Sequence, residues 1–262
     1  MPRDTLTREK IVTVAIGLLD AEGLDGLNMR ALGTRLGSAA TAVYWHVGSK
    51  ANLIALAGDQ AWHEVALPDL TATAWRAAAT ELATGLHAML ARHPWLVQAF
   101  GSYMVFGPGK ARHDDHSLAI YEAAGFTSTQ ADQAMATVFT YVLGNALGAA
   151  AAASLPRKLS RDRASAEALI HDTMAKARDI AAQYPRLRAR LEAPAAGYAA
   201  APEHSFEFGL QVIFDGLEAQ LTTRGTPAVE NARKPPRYGQ EPPGGPGPAS
   251  GNREATAPEP VP

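Results

Sequence analysis

The stretch of this chain with the clearest chemical pattern runs from position 28 to position 54. Tyr44, Trp45 and His46 follow one another, Lys50 comes four residues later, and Arg30 precedes them. Their hydroxyl, ring N–H, ammonium and guanidinium groups donate hydrogen bonds to phosphate oxygens and base edges, so the combination is typical of contact with a nucleic acid. Such contact requires elements that hold these side chains on one surface.

Two short helices joined by a turn meet that requirement. Leu32 and Leu36 are four residues apart, as one face of a helix requires, and Asn28 stands at the N-cap position. Gly37 then supplies a left-handed residue that ends this helix. We therefore predict a helix-turn-helix motif, with its second helix over about residues 40–46.

The second helix is predicted to be the recognition helix of the motif. Val43 closes on the apolar face of the first helix, which leaves the other side of the second helix open. A helix held in this way can lie in a major groove of DNA. The side chains that it would present there are Thr41, Tyr44 and His46.

The residues from Tyr44 to Val47, followed by Ser49, Lys50 and a helix containing Leu53, resemble the DNA-binding domain of tetracycline-repressor (TetR) type regulators. The resemblance extends over about residues 6–56. It implies that the aromatic and histidine end of the recognition helix and the following lysine contact phosphates. It also implies that the start of that helix and an arginine on the preceding helix reach bases. The implied DNA-binding residues are Arg30, Thr41, Ala42, Tyr44, Trp45, His46 and Lys50.

Alanine stands at Ala39, Ala40 and Ala42, where the family pattern has polar side chains that read bases. An alanine offers only a methyl contact to thymine. The sequence therefore leaves the operator open.

Composition predicts a soluble protein and fits the reducing cytoplasm. The chain has 262 residues, of which 47% are apolar, and no cysteine, which excludes disulfides, thiolate catalysis and sulfur-based zinc sites. The N-terminus lacks an apolar signal segment, and the longest low-charge run, 142–155, is too short to span a bilayer. We expect no membrane association.

Charge argues for modest DNA affinity. The whole chain has 24 basic and 26 acidic residues, a net charge of −2, whereas residues 1–50 have six basic and five acidic residues, a net charge of +1. Because non-specific DNA binding depends on neutralised phosphates, we expect a shallow salt dependence.

The remaining sequence predicts an all-α fold, since no alternation of period two occurs. We expect a helix-turn-helix DNA-binding domain over 1–50, a helical effector-binding and dimerisation domain over 51–222, and a disordered Pro/Gly-rich tail over 223–262. Ten of the eighteen prolines lie in 226–262. Helices are predicted over 7–22, 49–65, 71–93, 95–103, 114–124, 128–154, 164–183 and 203–221, with a loop at 106–109.

The helices over 128–154 and 203–221 are predicted to form a homodimer interface. The first has an apolar stripe and an opposite face of Gly144, Gly148 and Ala152, which would let another helix approach closely, so we expect packing on both sides. The second is more apolar than one buried face needs. It resembles the closing helix of the TetR-like C-terminal domain, which implies pairing with the long helix across a dimer interface.

Aromatic residues are concentrated between positions 95 and 106. They could be plain core or could line a cavity for a small apolar or aromatic effector. The resemblance implies an effector pocket in this region, but no counterpart of the histidine and asparagine set that holds magnesium-tetracycline is evident, and no cofactor is expected. The predicted effector-binding residues are Trp95, Phe100, Tyr103, Phe106, Phe139 and Asn145.

Other chemistry is weakly indicated. His113, Asp114 and His116 have the spacing of metal ligands on one helical turn, but aspartates at a helix start also serve as caps, and the two readings stay open. No arrangement of nucleophile and base, paired carboxylates or nucleotide loop is readable, so we expect no enzyme.

The sequence as a whole predicts a ligand-responsive transcriptional repressor that binds a palindromic operator as a homodimer. The alternative is a helical dimeric adaptor without DNA binding. Exposure of the predicted DNA-binding residues would distinguish the two.

Overall fold

The computed structural model describes residues 6–159, 163–192 and 205–223, and within them it contains helices but no strand. The all-α prediction is confirmed. The helices are α1 (Arg8–Gly26), α2 (Met29–Arg35), α3 (Ala40–Val47), α4 (Lys50–Trp62), α5 (Trp75–Arg92), α6 (Pro94–Ala99), α7 (Pro108–Ala123), α8 (Ser128–Leu159), α9 (Arg163–Ala181), α10 (Pro185–Leu191) and α11 (Ser205–Thr223).

Side-chain caps begin three of the first four helices, as local sequence signals predict. The pairs are Thr7 Oγ1 with the Lys10 amide (3.2 Å), Asn28 Oδ1 with the Ala31 amide (2.7 Å) and Ser49 Oγ with the Asn52 amide (3.0 Å). Gly37 has a φ of +62°, which confirms its predicted left-handed role after α2. Gly23 has non-helical dihedral angles and interrupts α1 where the sequence predicts its end.

The start of α7 differs from the prediction. Residues 106–109 are predicted as a loop and a helix from 114, but α7 begins at Pro108. Asp59, on α4, accepts hydrogen bonds through Oδ1 from the amides of Gly109 (2.8 Å) and Lys110 (3.1 Å). A cap supplied from fifty residues away leaves no local signal, so periodicity misses the first turns of α7.

The other differences are smaller. The predicted helix over 95–103 ends at Ala99, and the short helix α10 is not predicted. The predicted tail over 223–262 lies outside the described residues, apart from Thr223 at the end of α11.

One apolar core extends from α1 to α11. Helix α4 is central to it, because it packs against both α1 and α7 and buries Ile54, Ala57 and Trp62 completely. It also follows α3 after only Gly48 and Ser49. Helix α4 therefore links the part of the core that contains α7 to the recognition helix. The domain boundary at residue 50 stays a prediction.

Helix α11 is fastened to α5 and α8 by polar contacts. Arg76 on α5 forms ion pairs with Asp215 (2.5 Å) and Glu218 (2.8 Å). The Tyr141 hydroxyl on α8 donates to the carbonyls of Ser205 (2.9 Å) and Phe206 (3.0 Å). These contacts fix which face of α11 is turned inward.

Glycine permits the close approach of α4 to its neighbours. A Cβ at Gly58 would lie 2.5 Å from Val105 Cγ1 and 3.1 Å from Leu96 Cδ1, well inside normal contact distance. Gly109 is similarly tight, because a Cβ there would meet the Asp59 carbonyl and lie 3.1 Å from His63 Cδ2. A side chain at Gly58 would push α4 away from α6 and from the segment before α7, and one at Gly109 would push α7 away from α4.

We predict that Gly58→Ala lowers the free energy of unfolding by about 1–3 kcal/mol, the usual cost of overpacking. Gly17→Ala in α1 is the matched control, since a Cβ there meets nothing within 4 Å and alanine favours a helix by up to about 1 kcal/mol. Urea denaturation of the two variants measures the difference. Equal changes in both would show that the α4 contact tolerates a methyl group.

Candidate functional site

The recognition helix α3 is held by a narrow apolar face. Val43 and Val47 are buried, whereas Thr41 is exposed, Tyr44 is 44% exposed and Trp45 is 84% exposed. A tryptophan so open to solvent contributes nothing to the core. The outer side of α3 is therefore open to solvent.

Arg30 lies on α2 and is exposed. Its guanidinium makes no hydrogen bond or ion pair within the part of the chain that the structure describes. The second arginine of the same helix, Arg35, is held by Glu22 at 2.8 Å. Arg30 is thus the arginine of α2 whose donors remain available to a ligand.

His46 and Lys50 are half-buried, as is Ala42. The Lys50 ammonium donates to the carbonyl of Leu24 at 3.1 Å, which ties the start of α4 to the end of α1. The His46 ring meets the edge of Trp45 with 5.0 Å between centroids. The structure therefore brings Arg30, Thr41, Tyr44 and Trp45 to the surface, while Lys50 also has a structural contact that a substitution would remove.

A cavity of about 190 Å³ lies between α5, α7 and α8. Its walls are mostly apolar on the α5 and α8 sides and polar on the α7 side. The lining residues that matter below are Leu82, Leu86, Lys110, His113, Tyr121 and Phe139.

Only one predicted effector-binding residue, Phe139, lines this cavity. Phe100 does not line the cavity but packs against Phe139, with 5.9 Å between the two ring centroids. Asn145 donates to the carbonyl of Tyr141 one turn earlier on α8, and Tyr103 is half-buried elsewhere. The predicted effector-binding residues are grouped mainly because they are close in sequence, and the structure places most of them apart.

Trp95 and Phe106 are also placed away from the cavity. Phe106 is 66% exposed. The Trp95 indole is buried, and its Nε1 donates to Asp20 Oδ1 on α1 at 2.7 Å. Trp95 therefore joins α6 to the N-terminal helix.

The polar wall of the cavity is one face of α7. Lys110 Nζ pairs with Asp114 at 2.5 Å, and His113 Nδ1 lies 3.4 Å from the same carboxylate. Burial raises the pKa of Asp114, but hydrogen bonds from His113 and Lys110 outweigh it, so the pKa stays below its ordinary value. Asp114 is accordingly ionised at neutral pH.

Tyr121 and Ser117 continue this face. Both are buried, and burial raises the pKa of the Tyr121 hydroxyl, which therefore stays protonated. The polar residues recur at positions 110, 113, 114, 117 and 121, which is the spacing of one helical face. That stripe is the signal that could have located the cavity wall from sequence.

The structure gives no geometric support to a metal site at His113, Asp114 and His116. No group of three or more histidine or carboxylate side chains in the described ranges could hold a metal ion. His113 lies in the middle of α7, not at its start, because the helix begins at Pro108.

A polar network joins α1 to the far ends of α4 and α5. The buried His93 ring contacts Asp20 through Nδ1 (2.7 Å) and Glu64 through Nε2 (3.0 Å), and Glu64 also accepts from Arg92 at 2.8 Å. Burial raises the pKa of Glu64, but the hydrogen bonds from Arg92 and His93 bring it below its ordinary value. The network fixes the position of the N-terminal helices relative to the cavity-bearing part.

Two family models match the chain. The model for bacterial regulatory proteins of the tetR family matches residues 11–74, which include α2 and α3. The model for the tetracyclin repressor-like C-terminal domain matches residues 67–221, which include the cavity. Together they span nearly all the described residues.

Curated relatives agree with these matches. An HTH-type transcriptional regulator of Saccharopolyspora erythraea is 32% identical over 214 residues, which cover 82% of this chain and 85% of the relative. The HTH-type transcriptional repressor DrrR1 of Streptomyces coeruleorubidus is 31% identical over 229 residues, which cover 85% and 81% of the two chains.

A solved structure shares the whole fold. The TetR family protein ActR of Streptomyces coelicolor, in complex with actinorhodin, superposes with a TM-score of 0.64 at 25% identity, covering 83% of this chain and 99% of that one. With an exposed recognition helix, an internal cavity and both family models matched, the chain belongs to the tetracycline-repressor (TetR) family of transcriptional regulators.

Proposed function

We propose that the protein is a cytoplasmic transcriptional repressor that binds a palindromic operator as a homodimer and leaves it when a small aromatic effector occupies the cavity. The observation that carries DNA binding is the exposed outer face of α3 beside the unpaired donors of Arg30. An adaptor that did not bind DNA would have no use for these side chains. The name of the Streptomyces coeruleorubidus relative, a repressor, supports the direction of regulation.

The proposed homodimer is supported by an uncovered apolar surface on α8 and α11. Phe208 is 72% exposed, Leu147 and Val212 are more than half exposed, and Gly144 and Gly148 face open space. The sequence predicts α8 to be packed on both sides, but among the described residues of one chain nothing covers this second face. A second copy of the chain would cover it.

The exposed apolar face of α8 also explains why this helix resembles a membrane-spanning helix. Among the described residues, the stretch Ser128–Ser154 of α8 is long and apolar enough to cross a bilayer, and only 28% of its most apolar 18-residue window is buried. This differs from the sequence expectation, which considered only 142–155. In the proposed dimer the exposed apolar face of α8 packs against protein.

The proposed effector response uses the cavity and α4. Actinorhodin in the ActR structure supports an aromatic ligand. Lys110, in the first turn of α7, is held through its amide by Asp59 of α4, and only Gly48 and Ser49 separate α4 from α3. A ligand that favours one position of α7 can thus shift α3, with a coupling of about 1–3 kcal/mol, as is usual between two sites.

Selection of bound DNA from a random pool tests the operator. We expect an enriched sequence with dyad symmetry, its half-sites about 34–36 Å apart or a near multiple, since two recognition helices must enter successive major grooves. Enriched DNA without a dyad would contradict the proposal.

We predict that Arg30→Ala costs about 1–3 kcal/mol of operator affinity and relaxes the preference at one base pair. Arg35→Ala is the matched control, because it removes the same charge from the same helix at a residue already paired with Glu22. Fluorescence anisotropy on operator and random duplexes measures both. If Arg30→Ala weakens the two duplexes equally, Arg30 is a phosphate contact only.

We predict that Ala152→Arg, on the bare face of α8, converts the protein to a monomer and abolishes tight operator binding. An unpaired buried charge in an interface is strongly unfavourable. Ala91→Arg, an equally exposed alanine on α5, should leave the dimer intact. Sedimentation velocity gives the result, and a dimeric Ala152→Arg protein would place the interface elsewhere.

A further inference from the structure

One residue that lines the cavity has a buried polar atom without a partner in the described part of the chain. His113 is 5% exposed and lines the cavity, and its Nε2 has no hydrogen-bond partner among the described residues. A buried polar atom without a partner is rare, because it loses the hydrogen bonds it would make in water. The position of Nε2 therefore points to a ligand group that binds there.

The carboxylate of Asp114 indicates whether the ligand group at His113 Nε2 is a hydrogen-bond donor or an acceptor. His113 Nδ1 faces Asp114, which is ionised, so Nδ1 is the nitrogen that carries the hydrogen and donates to it. In the tautomer with its hydrogen on Nδ1, the imidazole has its lone pair at Nε2, which accepts a hydrogen bond. The matching ligand group is a donor such as an O–H.

Lys110 provides a cation on the same face of α7, one turn before His113. Its Nζ lies 5.4 Å from the ring centroids of both Trp62 and Phe139, in addition to its pairing with Asp114. An ammonium has three donors, so it can also donate to a ligand oxygen. A hydroxyl group between the two side chains would donate to His113 and accept from Lys110.

The rest of the cavity favours an aromatic body on that hydroxyl. Leu82, Leu86 and Phe139 form apolar walls, and the volume of about 190 Å³ is slightly larger than the roughly 150 Å³ of a protein cavity that holds benzene. The space therefore suits one substituted ring.

We propose that the cavity selects a hydroxylated aromatic compound, a phenol, whose O–H donates to His113 Nε2 and whose oxygen accepts from Lys110 Nζ. This inference rests on the proposed effector site and narrows its ligand class. It distinguishes phenols from aromatic ethers and from plain hydrocarbons of the same size.

Three probes of one shape test the proposal: 4-ethylphenol, 4-ethylanisole and ethylbenzene. The anisole retains the oxygen acceptor and lacks the donor, and ethylbenzene lacks both. In ligand-observed NMR titrations of the wild-type protein, 4-ethylphenol should bind at least about tenfold more tightly than 4-ethylanisole, the usual effect of leaving a buried acceptor unpaired.

Two variants assign the difference to His113. His113→Phe removes the acceptor and retains a ring, so the ratio of the phenol and anisole affinities should fall to about one. His113→Gln keeps an acceptor oxygen and should restore part of the ratio. Lys110→Met should weaken phenol and anisole alike and leave their ratio unchanged, because both retain the oxygen.

Equal affinities of the wild-type protein for 4-ethylphenol and 4-ethylanisole would overturn the proposal, as would the absence of saturable binding by all three probes. A ratio that survives in His113→Phe would overturn the role of Nε2. DNA selection is independent of these titrations. A protein that enriches a dyad operator but does not distinguish the probes keeps its proposed function and loses this ligand class.

Discussion

The contact on which the rest of this structure depends is the carboxylate of Asp59 at the start of α7. It satisfies two amides that a helix start leaves without partners, and it holds α7 so close to α4 that a Cβ at Gly109 would meet the Asp59 carbonyl. That approach sets where α7 lies and hence where its polar face meets α8. It also means that α7 cannot shift without either moving α4 or losing the cap, which is worth about 1 kcal/mol.

The network around His93 is a second tie between the same regions. Asp20 accepts from both His93 and Trp95, so α1 is held to the beginning of α6 at a buried point. The hydrogen bond from Lys50 to the Leu24 carbonyl holds the start of α4 against α1. The network around His93 holds the other end of α4 against α1 through Glu64 and Asp20. Movement transmitted through α4 must therefore carry α1 and the recognition helix with it as one body. In the proposed effector response, the contact that differs between the two positions lies on the α7 side.

Local signals were enough to predict the helix-turn-helix, because Asn28, Gly37 and Ser49 act on backbone groups within three residues of themselves. The cavity could not be predicted in the same way. Trp95 and Phe106 are aromatic and close in sequence to Phe100, but α6 ends at Ala99, so the three side chains point to different neighbours. The residues that do line the cavity lie on three helices separated by up to sixty positions, and the cap that orients one of them comes from α4. Helices that are distant in sequence come together only through tertiary packing, and the pattern of a single sequence does not predict which of their faces meet.

The narrow attachment of α3 has an evolutionary consequence. Only Val43 and Val47 of this helix are buried, and its remaining side chains contribute little to folding. Exposed substitutions away from special contacts usually change stability by no more than about 0.5 kcal/mol. The exposed positions, where this chain has Ala39 and Thr41, can therefore diverge between descendants of one ancestral gene without endangering the scaffold. Duplicated copies can acquire separate target promoters through a few substitutions while they inherit the same helical scaffold and the same cavity.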